Sequence, residues 1–500
     1  MRPTFLAAVL LLAVSSPVFS QNTADAVRYT RIHNAGTARM AGVGGAFSAL
    51  GADFGALSLN PAGLAMYRSN EFVFTPGVHT ATTSASLPNA SNYDDASSKL
   101  RIANLGMVFP TTLTGGKWKA LNVGLGFNQL GNYNQSAYYE GAGAGSILDG
   151  WFAEAEPFLA GGGNPDQLYP LGAGLGYKAG AIYFQGGVPS YDFLGATDAP
   201  INRTQVAFTS GSTNEMTFAM SGNYDERLMI GASIGVPLIN YRQEAFYTEK
   251  DPEGGFEGRV PYFSELEYSD FLRTSGVGFN AKLGAILRVN QLLRLGGAIH
   301  SPSYYNMTDQ FSADFDYTYE DLNPNGGGLL QTNNSADASA DPFNYRLKTP
   351  WRATGGLALV MKYGFLSADV EWVDYSAASF NLTKSFNDAD TRAFERDLNT
   401  AIQRNFKATV NYKVGAELAL DAFRLRGGLN LLGKPQSNQS GYNLAWSVGT
   451  GVRFDKIYLD IAYRRSSFTG SISPYLGSAA PTASTKGHVG DVLATVGIRF

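Results

Sequence analysis

The residues that could do chemistry are few and scattered. The chain has four histidines, His33, His79, His300 and His488, and no cysteine. The lack of cysteine removes disulfides, thiolate metal sites, iron–sulfur clusters, thiol nucleophiles and a lipid-bearing thiol. No H-E-x-x-H, G-x-S-x-G or G-K-[ST] run is present, so the usual warrants for a zinc hydrolase, a serine hydrolase or a phosphate loop are missing. Gly172, Gly174 and Gly176 lack the strand-to-helix context of a dinucleotide loop. His300 falls on a strand-like stretch whose alternation turns it inward, as a histidine held by polar neighbours. Arg424, Arg426, Arg453, Arg464, Asp460, Glu417 and Asp491 share the polar face of alternating segments. Ions on an enclosed face must pair or be hydrated, so they read as a mixed-sign interior network and not as a catalytic cluster. The expectation is a protein that is not an enzyme and needs no cofactor and no metal.

The elements that hold these residues follow from composition. Of 500 residues, 16% are charged, 13% are aromatic and 58 are glycine, with a formal charge of −4. An ordinary soluble domain carries about 25% charged residues, and a nucleic-acid binder shows a basic excess. Low charge with abundant glycine and aromatics points to a β-rich chain in an unusual solvent, with no nucleic-acid partner. Arg2, the apolar stretch Phe5 to Val14, and Val18-Phe19-Ser20 make a secretory signal over residues 1–20, with the mature chain beginning at Gln21. No later apolar run reaches about 18 residues. If the exported chain resides in a membrane, it must do so as a closed barrel.

Period-2 alternation dominates the C-terminal half. Ala408, Val410, Tyr412, Val414, Ala416 and Leu418 alternate with Lys407, Thr409, Asn411, Lys413 and Glu417. Val492, Ala494, Val496, Ile498 and Phe500 alternate with Asp491, Thr495 and Arg499. Such strands have one apolar and one polar face. Their connections are asymmetric. Asp225-Glu226, Asn290-Gln291, Tyr363-Gly364, Leu420-Asp421 and Asp455-Lys456 are tight junctions. Residues 137–200, 319–344 and 384–404 are long polar or glycine-rich segments, read as extracellular loops. Short turns alternating with long loops mark an outer-membrane barrel. The strand spans are 71–84, 99–111, 117–135, 203–223, 227–248, 262–289, 292–318, 345–362, 365–382, 405–419, 422–434, 440–454, 457–471 and 487–500. The fold class is therefore all-β, a transmembrane antiparallel barrel of about 14 strands over residues 71–500 in the outer membrane of a Gram-negative cell. Terminal Phe500 resembles the signal read by the barrel assembly machinery, an expected partner along with outer-membrane lipid.

Residues 21–70 do not alternate and are rich in Gly36, Gly42, Gly44, Gly45, Gly51, Gly55 and Gly63. A barrel of this size is wider than its own side chains can fill, and glycine permits close backbone approach. The segment is expected to be a hatch, plugging the lumen. Within it, residues 36–47 (GTARMAGVGGAF) and 57–65 (LSLNPAGLA) resemble the N-terminal hatch of the FadL/TodX family, with its "G-x-R-x-x-G-x-G-G-A-F" and "N-P-A" runs. Residues 347–352 (LKTPWR), 368–372 (ADVEW) and 412–417 (YKVGAE) resemble later strands of the same family, which has fourteen. The resemblance implies passive uptake of a hydrophobic small molecule, such as a long-chain fatty acid or an aromatic hydrocarbon, with lateral exit through a kinked strand. It places Asn60, Pro61 and Ala62 beside that exit. Gly131 and Asn132, in the third strand, are the candidate kink or else a flexible strand end. Trp151, Phe152 and Phe158, on a short helix, would line an apolar capture groove or pack against the rim. Two other functions stay open. Some FadL-like barrels of Bacteroidetes type resemble scaffold or shuttle components of protein secretion, and a heme receptor would use His33.

Overall fold

The computed structural model describes residues 23–32, 36–255, 257–322, 329–385, 387–475 and 480–500. Nineteen strand segments join in one antiparallel sheet that closes as fourteen wall strands. These are β1 (Glu71–Ser86), β2 (Tyr93–Thr112), β3 (Trp118–Asn132, carried on by Gln135–Gly143), β4 (Ile201–Tyr224) and β5 (Leu228–Lys250). Next come β6 (Phe263–Arg288), β7 (Leu293–His300 and Tyr304–Leu322), β8 (Leu329–Ser339, Phe343–Lys348 and Arg352–Met361) and β9 (Gly364–Asp374, with Ser379–Asn381). The wall ends with β10 (Ala408–Leu420), β11 (Phe423–Gly433), β12 (Tyr442–Arg453), β13 (Ile457–Ile472) and β14 (Ala483–Arg499). β14 closes the ring on β1, from Glu71 opposite Arg499 to Ser86 opposite Ser484. The breaks within β7 and β8 hold Pro302, Pro342 and Pro350, residues with no N–H to give a ladder.

The tight junctions gather at one end of the barrel. At one of them, the three-residue connection 225–227, Asp225 and Glu226 both take φ of 56°, the paired left-handed conformation whose twist suits the flanking strands. Outward residues make an apolar belt. Leu105, Met107 and Phe109 on β2, Met216, Phe218 and Met220 on β4, and Ile457, Leu459 and Ile461 on β13 are exposed. Exposed Trp118, Tyr363, Phe423, Phe454 and Phe500 rim the short-turn end, and Tyr304, Trp351, Trp372 and Tyr442 form a higher aromatic rim. β9, of 11 residues, runs between the two rims and matches the ~9–11 residues needed to cross hydrocarbon. Among the described residues no helix is long and apolar enough to cross a membrane.

The long connections are more ordered than their composition predicts. Residues 137–143 continue β3 against β4. Beyond them α4 (Ile147–Ala160), α5 (Ala173–Lys178) and a hairpin of Ile182–Gln185 with Val188–Tyr191 build a lobe. Residues 319–344 are read as a loop, but their described parts extend the wall instead, with Ser312 to Leu322 laddered onto Ser339 to Leu329. The polar outward residues hide the pattern, while Ala336 and Ala338 pack into the lobe core. Residues 384–404 hold α6 (Ala389–Asn405), capped by the Asp388 side chain, which accepts from Thr391 N at 2.7 Å. β2 and β14 start six and four residues earlier than their alternation suggests, at Tyr93 and Ala483.

Residues 36–70 lie inside the barrel and are almost wholly buried. Thr37 caps α2 (Ala38–Gly42), and Asn60 caps the short 3-10 turn Pro61–Met66 that follows α3 (Ala56–Leu59). The wall meets this segment with glycines directly opposite each other on neighbouring strands: Gly106 and Gly126, Gly231 and Gly284, Gly296 and Gly356, Gly415 and Gly428. Each pair is a socket. A Cβ on Gly106 or Gly126 would lie 2.1 or 2.3 Å from the Phe54 ring. On Gly296 it would meet Ser48 O at 2.2 Å, and on Gly428 it would meet Gly44 N at 2.3 Å. Two missing side chains on adjacent strands let backbone pack against backbone, which glycine alone permits.

Candidate functional site

Asn60, Pro61 and Ala62 occupy one of these sockets. Asn60 is 1% exposed. Its side-chain oxygen accepts from Ala62 N at 3.1 Å, and its Nδ2 donates to Ser48 O at 2.7 Å and Ala285 O at 3.2 Å. The Pro61–Ala62 peptide fits against Gly231 on β5. The tripeptide therefore fastens the segment to β5 and β6. A feature of the wall that does open toward the membrane side lies elsewhere, between β2 and β3.

That feature is a break in the ladder. β2 and β3 pair from Thr112 opposite Ala120 up to Asn104 opposite Asn128, and no further. Above that point β2 stays with β1, through a bulge at Thr75/Pro76 that leaves Ala103 as the extra residue. β3 has its own irregularity between Gln129 and Gly131 and follows β4. Its upper part bends inward, where Gln135 Nε2 donates to Thr83 Oγ1 at 3.1 Å and Tyr139 is buried beside Ala85. One edge of β2 from Tyr93 to Ala103 is thus unpaired. Leu100 and Ile102, 87% and 46% exposed, continue the apolar belt along that edge. Unpaired backbone at membrane depth is tolerated only where it borders protein or a water-filled cavity.

Gly131 and Asn132 stand at this departure. Gly131 has no positive φ, and an added Cβ would find only ordinary contacts at 3.7 Å. The bend therefore comes from the two bulges and Pro76 rather than from glycine geometry. A cavity of about 150 Å³ lies behind the gap and above the buried segment, bounded by Met40, Gly44 and Gly45 below and Arg31 and Ile32 above. Asn132, Arg101, His79, Asp491 and Glu371 also line it. Arg101 Nη1 donates to Gln129 Oε1 at 2.6 Å, reaching from β2 to β3 just above the last ladder pair. α1 (Thr23–Thr30) fills the lumen above, with Tyr29 edge-on to Tyr133 and Tyr241 and the Arg28 guanidinium 4.3 Å from the Tyr241 ring centre. His33 and the signal region 1–20 lie outside the described residues.

The charged face organises the lower lumen. Arg426, fully buried, donates to Glu417 at 2.6 Å and Asp460 at 2.7 Å, and Arg453 also pairs with Asp460. Arg39 of the buried segment joins through Glu417 at 3.2 Å. His300 Nε2 lies 2.8 Å from Leu59 O. Arg464 and Asp491 belong to the cavity instead. Sequence reasoning missed Arg31, Arg101, Asn104, Asn128 and Gln129. The one available signal was Pro76 inside an otherwise good strand, which marks a bulge or an edge.

Trp151, Phe152 and Phe158 do sit on a helix, α4, but their rings belong to the lobe core. Trp151 packs edge-on against Tyr268 and Phe315, Phe152 stacks on Tyr191 at 4.3 Å, and Phe158 packs against the same cluster. Asp192 secures this lobe by accepting from the hydroxyls of Tyr183, at 2.9 Å, and Tyr317. Burial raises its carboxyl above the ordinary range, against the lowering effect of the two hydroxyls. The folded lobe thus holds the proton more tightly than the unfolded chain. Its contribution is full below the ordinary carboxylate range and fades as pH rises through the raised value. Limited proteolysis should find the lobe more resistant below the ordinary carboxylate range than at neutral pH, and Asp192→Asn should flatten that dependence.

No protein-family model and no curated protein sequence matches the chain. Solved structures do. A toluene transporter, TodX of P. putida, superposes with a TM-score of 0.51 at 11% identity, covering 94% of this chain and 99% of its own. A FadL homologue of Pseudomonas aeruginosa gives 0.50 at 14%, covering 93% and 98%. Identities this low, over nearly complete chains, speak for the backbone alone: this protein has the fourteen-stranded fold of the TodX- and FadL-type barrels.

Proposed function

We propose that the chain is an outer-membrane channel of FadL/TodX type for passive uptake of hydrophobic or amphiphilic small molecules, long-chain fatty acids and aromatic hydrocarbons among them. The observation that carries this is the parting of β2 from β3 above Asn104 and Asn128, in front of a lumenal cavity and inside the apolar belt. An apolar solute gains nothing from a water-filled pore, whereas a side exit into lipid spares it a return to water. Residues 36–70 act as the plug that turns the route sideways. The outward apolar face and both aromatic rims support the membrane placement.

The chain has no cysteine of its own, which makes a clean test available. Ala103→Cys with Gln129→Cys places two thiols just beyond the last ladder pair. Oxidised, this variant should lose uptake of a fluorescent long-chain fatty acid into proteoliposomes, and a reductant should restore it in the same sample. Uptake indifferent to a verified crosslink would remove the lateral route.

A further inference from the structure

The cavity's charges are out of balance. Arg31, Arg101, Arg352, Lys413 and Arg464 line it with only two carboxylates, Glu371 and Asp491. Glu371 is shared between Arg352, at 2.5 Å, and Lys413, at 2.9 Å. Asp491 pairs with Arg101 and lies against His79, both at 2.9 Å. Arg464 faces Asp491 across the ladder, but neither it nor Arg31 forms an ion pair among the described residues. Leaving His79 aside, five cations against two carboxylates is a surplus of three positive charges. Ionisable groups at membrane depth pair, are hydrated, or mark the path of a charged solute.

Arg101 is on β2 at the edge of the gap, and Arg464, three strands round the wall on β13, faces Asp491, the carboxylate that Arg101 pairs with. Arg31 adjoins Gly131, whose added Cβ would lie 3.8 Å from Arg31 O. The sill below carries Asn104 and Asn128, 0% and 2% exposed, and among the described residues neither amide has a hydrogen-bond partner. Neither amide lines the cavity itself, so the polar character of this mouth rests on its arginines. Guanidinium forks match the oxygens of phosphate in pairs. A dianion also offsets a surplus of three better than a monocarboxylate does.

We propose that this cavity is a binding site for a phosphate-monoester group, held by Arg31, Arg101 and Arg464 at the inner mouth of the gap. The proposal deepens the conduit function and rests on it for the route by which an amphiphile arrives. The phosphate can be the head of a lipid or a free ion.

The test is a titration of the full chain in neutral detergent with dodecyl phosphate, dodecanoate, dodecanol and inorganic phosphate, above the second phosphate pKa of about 6. Dodecyl phosphate should bind about tenfold more tightly than dodecanoate, the scale of a doubled charge-assisted contact. Arg31→Gln and Arg464→Gln should each abolish that preference while leaving dodecanol binding unchanged. Heat-modifiable gel migration reports that each variant is folded. Weak competition by inorganic phosphate assigns the site to an amphiphile, and strong competition assigns it to the free ion; both support the site. Equal affinity for dodecyl phosphate and dodecanoate, or a preference that survives in both folded variants, overturns it. Gap-dependent fatty-acid uptake without a phosphate preference sinks this inference alone. A phosphate preference with uptake indifferent to the crosslink sinks the conduit alone.

Discussion

Gly428→Ala should be severely destabilised, while Gly427→Ala, one residue earlier on the same strand, should fold like the parent. Gly427 points outward, and a methyl group there meets nothing within 4 Å. On Gly428 the same methyl would sit 2.3 Å from Gly44 N and 2.4 Å from Val43 C. Both obstructing atoms are backbone, so no rotamer change relieves the clash. Gly355 and Gly356 repeat the contrast on β8: Gly355 is open, and Gly356 would place its methyl 2.2 Å from Ser48 Oγ and 2.0 Å from Asp369 Oδ1. Overpacking a core costs about 1–3 kcal/mol where neighbours can yield, and the Gly428 socket, closed by backbone, belongs at or above the upper end. The observable is the urea midpoint for loss of heat-modifiable migration, with protease access to residues 36–70 as a second readout. Equal midpoints for the Gly427 and Gly428 variants would mean that the segment is not seated where the wall glycines open for it.

Those sockets also show how far the sequence could be read. The wall was legible because its signal is local. A strand with lipid outside and a polar lumen inside alternates with period two, and junctions such as Asp225-Glu226 separate one run from the next. The glycine pairs were not legible. Gly106 and Gly126, or Gly415 and Gly428, become partners only once strand register is known, because each member looks like an ordinary weak point in its own strand. The glycines of residues 36–63 were visible as a cluster, yet the wall brings glycines of its own to the same close contacts. The gap was hidden for a related reason. It is the absence of a ladder between β2 and β3, each of which has a normal strand sequence. Gly131 was legible as a candidate kink, and a bulge falls between Gln129 and Gly131, but the matching bulge at Thr75/Pro76 that frees Ala103 belongs to the pairing of two strands and was not. Trp151 and Phe152 were visible as apolar residues on a helix, but composition says nothing of whether such a face meets ligand or protein. Here Tyr191, Tyr268 and Phe315 cover it.

Lys282→Met should be among the most damaging single changes that leave the backbone untouched. Lys282 on β6 and Glu215 on β4 pair at 2.6 Å with side chains 3% and 0% exposed. Glu215 also accepts from Asn280 Nδ2 and Thr217 Oγ1 at 2.9 Å, and from Ser58 Oγ of the buried segment at 3.3 Å. Methionine keeps the apolar stem but leaves the carboxylate enclosed with only neutral donors, a loss of about 3–5 kcal/mol. Removing both charges is different in kind. Glu215→Gln with Lys282→Met leaves no buried ion, and Gln keeps an oxygen for Asn280, Thr217 and Ser58, so most of the stability should return. The exposed pair Lys250–Glu265, 60% and 41% exposed at 2.9 Å, sets the scale, since Lys250→Met should cost no more than about 1 kcal/mol. Urea midpoints of the three variants decide the matter. If Lys282→Met behaves like Lys250→Met, water reaches Glu215 and the contact between segment and wall is looser than these distances state. If the double variant is as damaged as the single one, the stability comes from the ion pair itself and not from avoiding an unpaired charge.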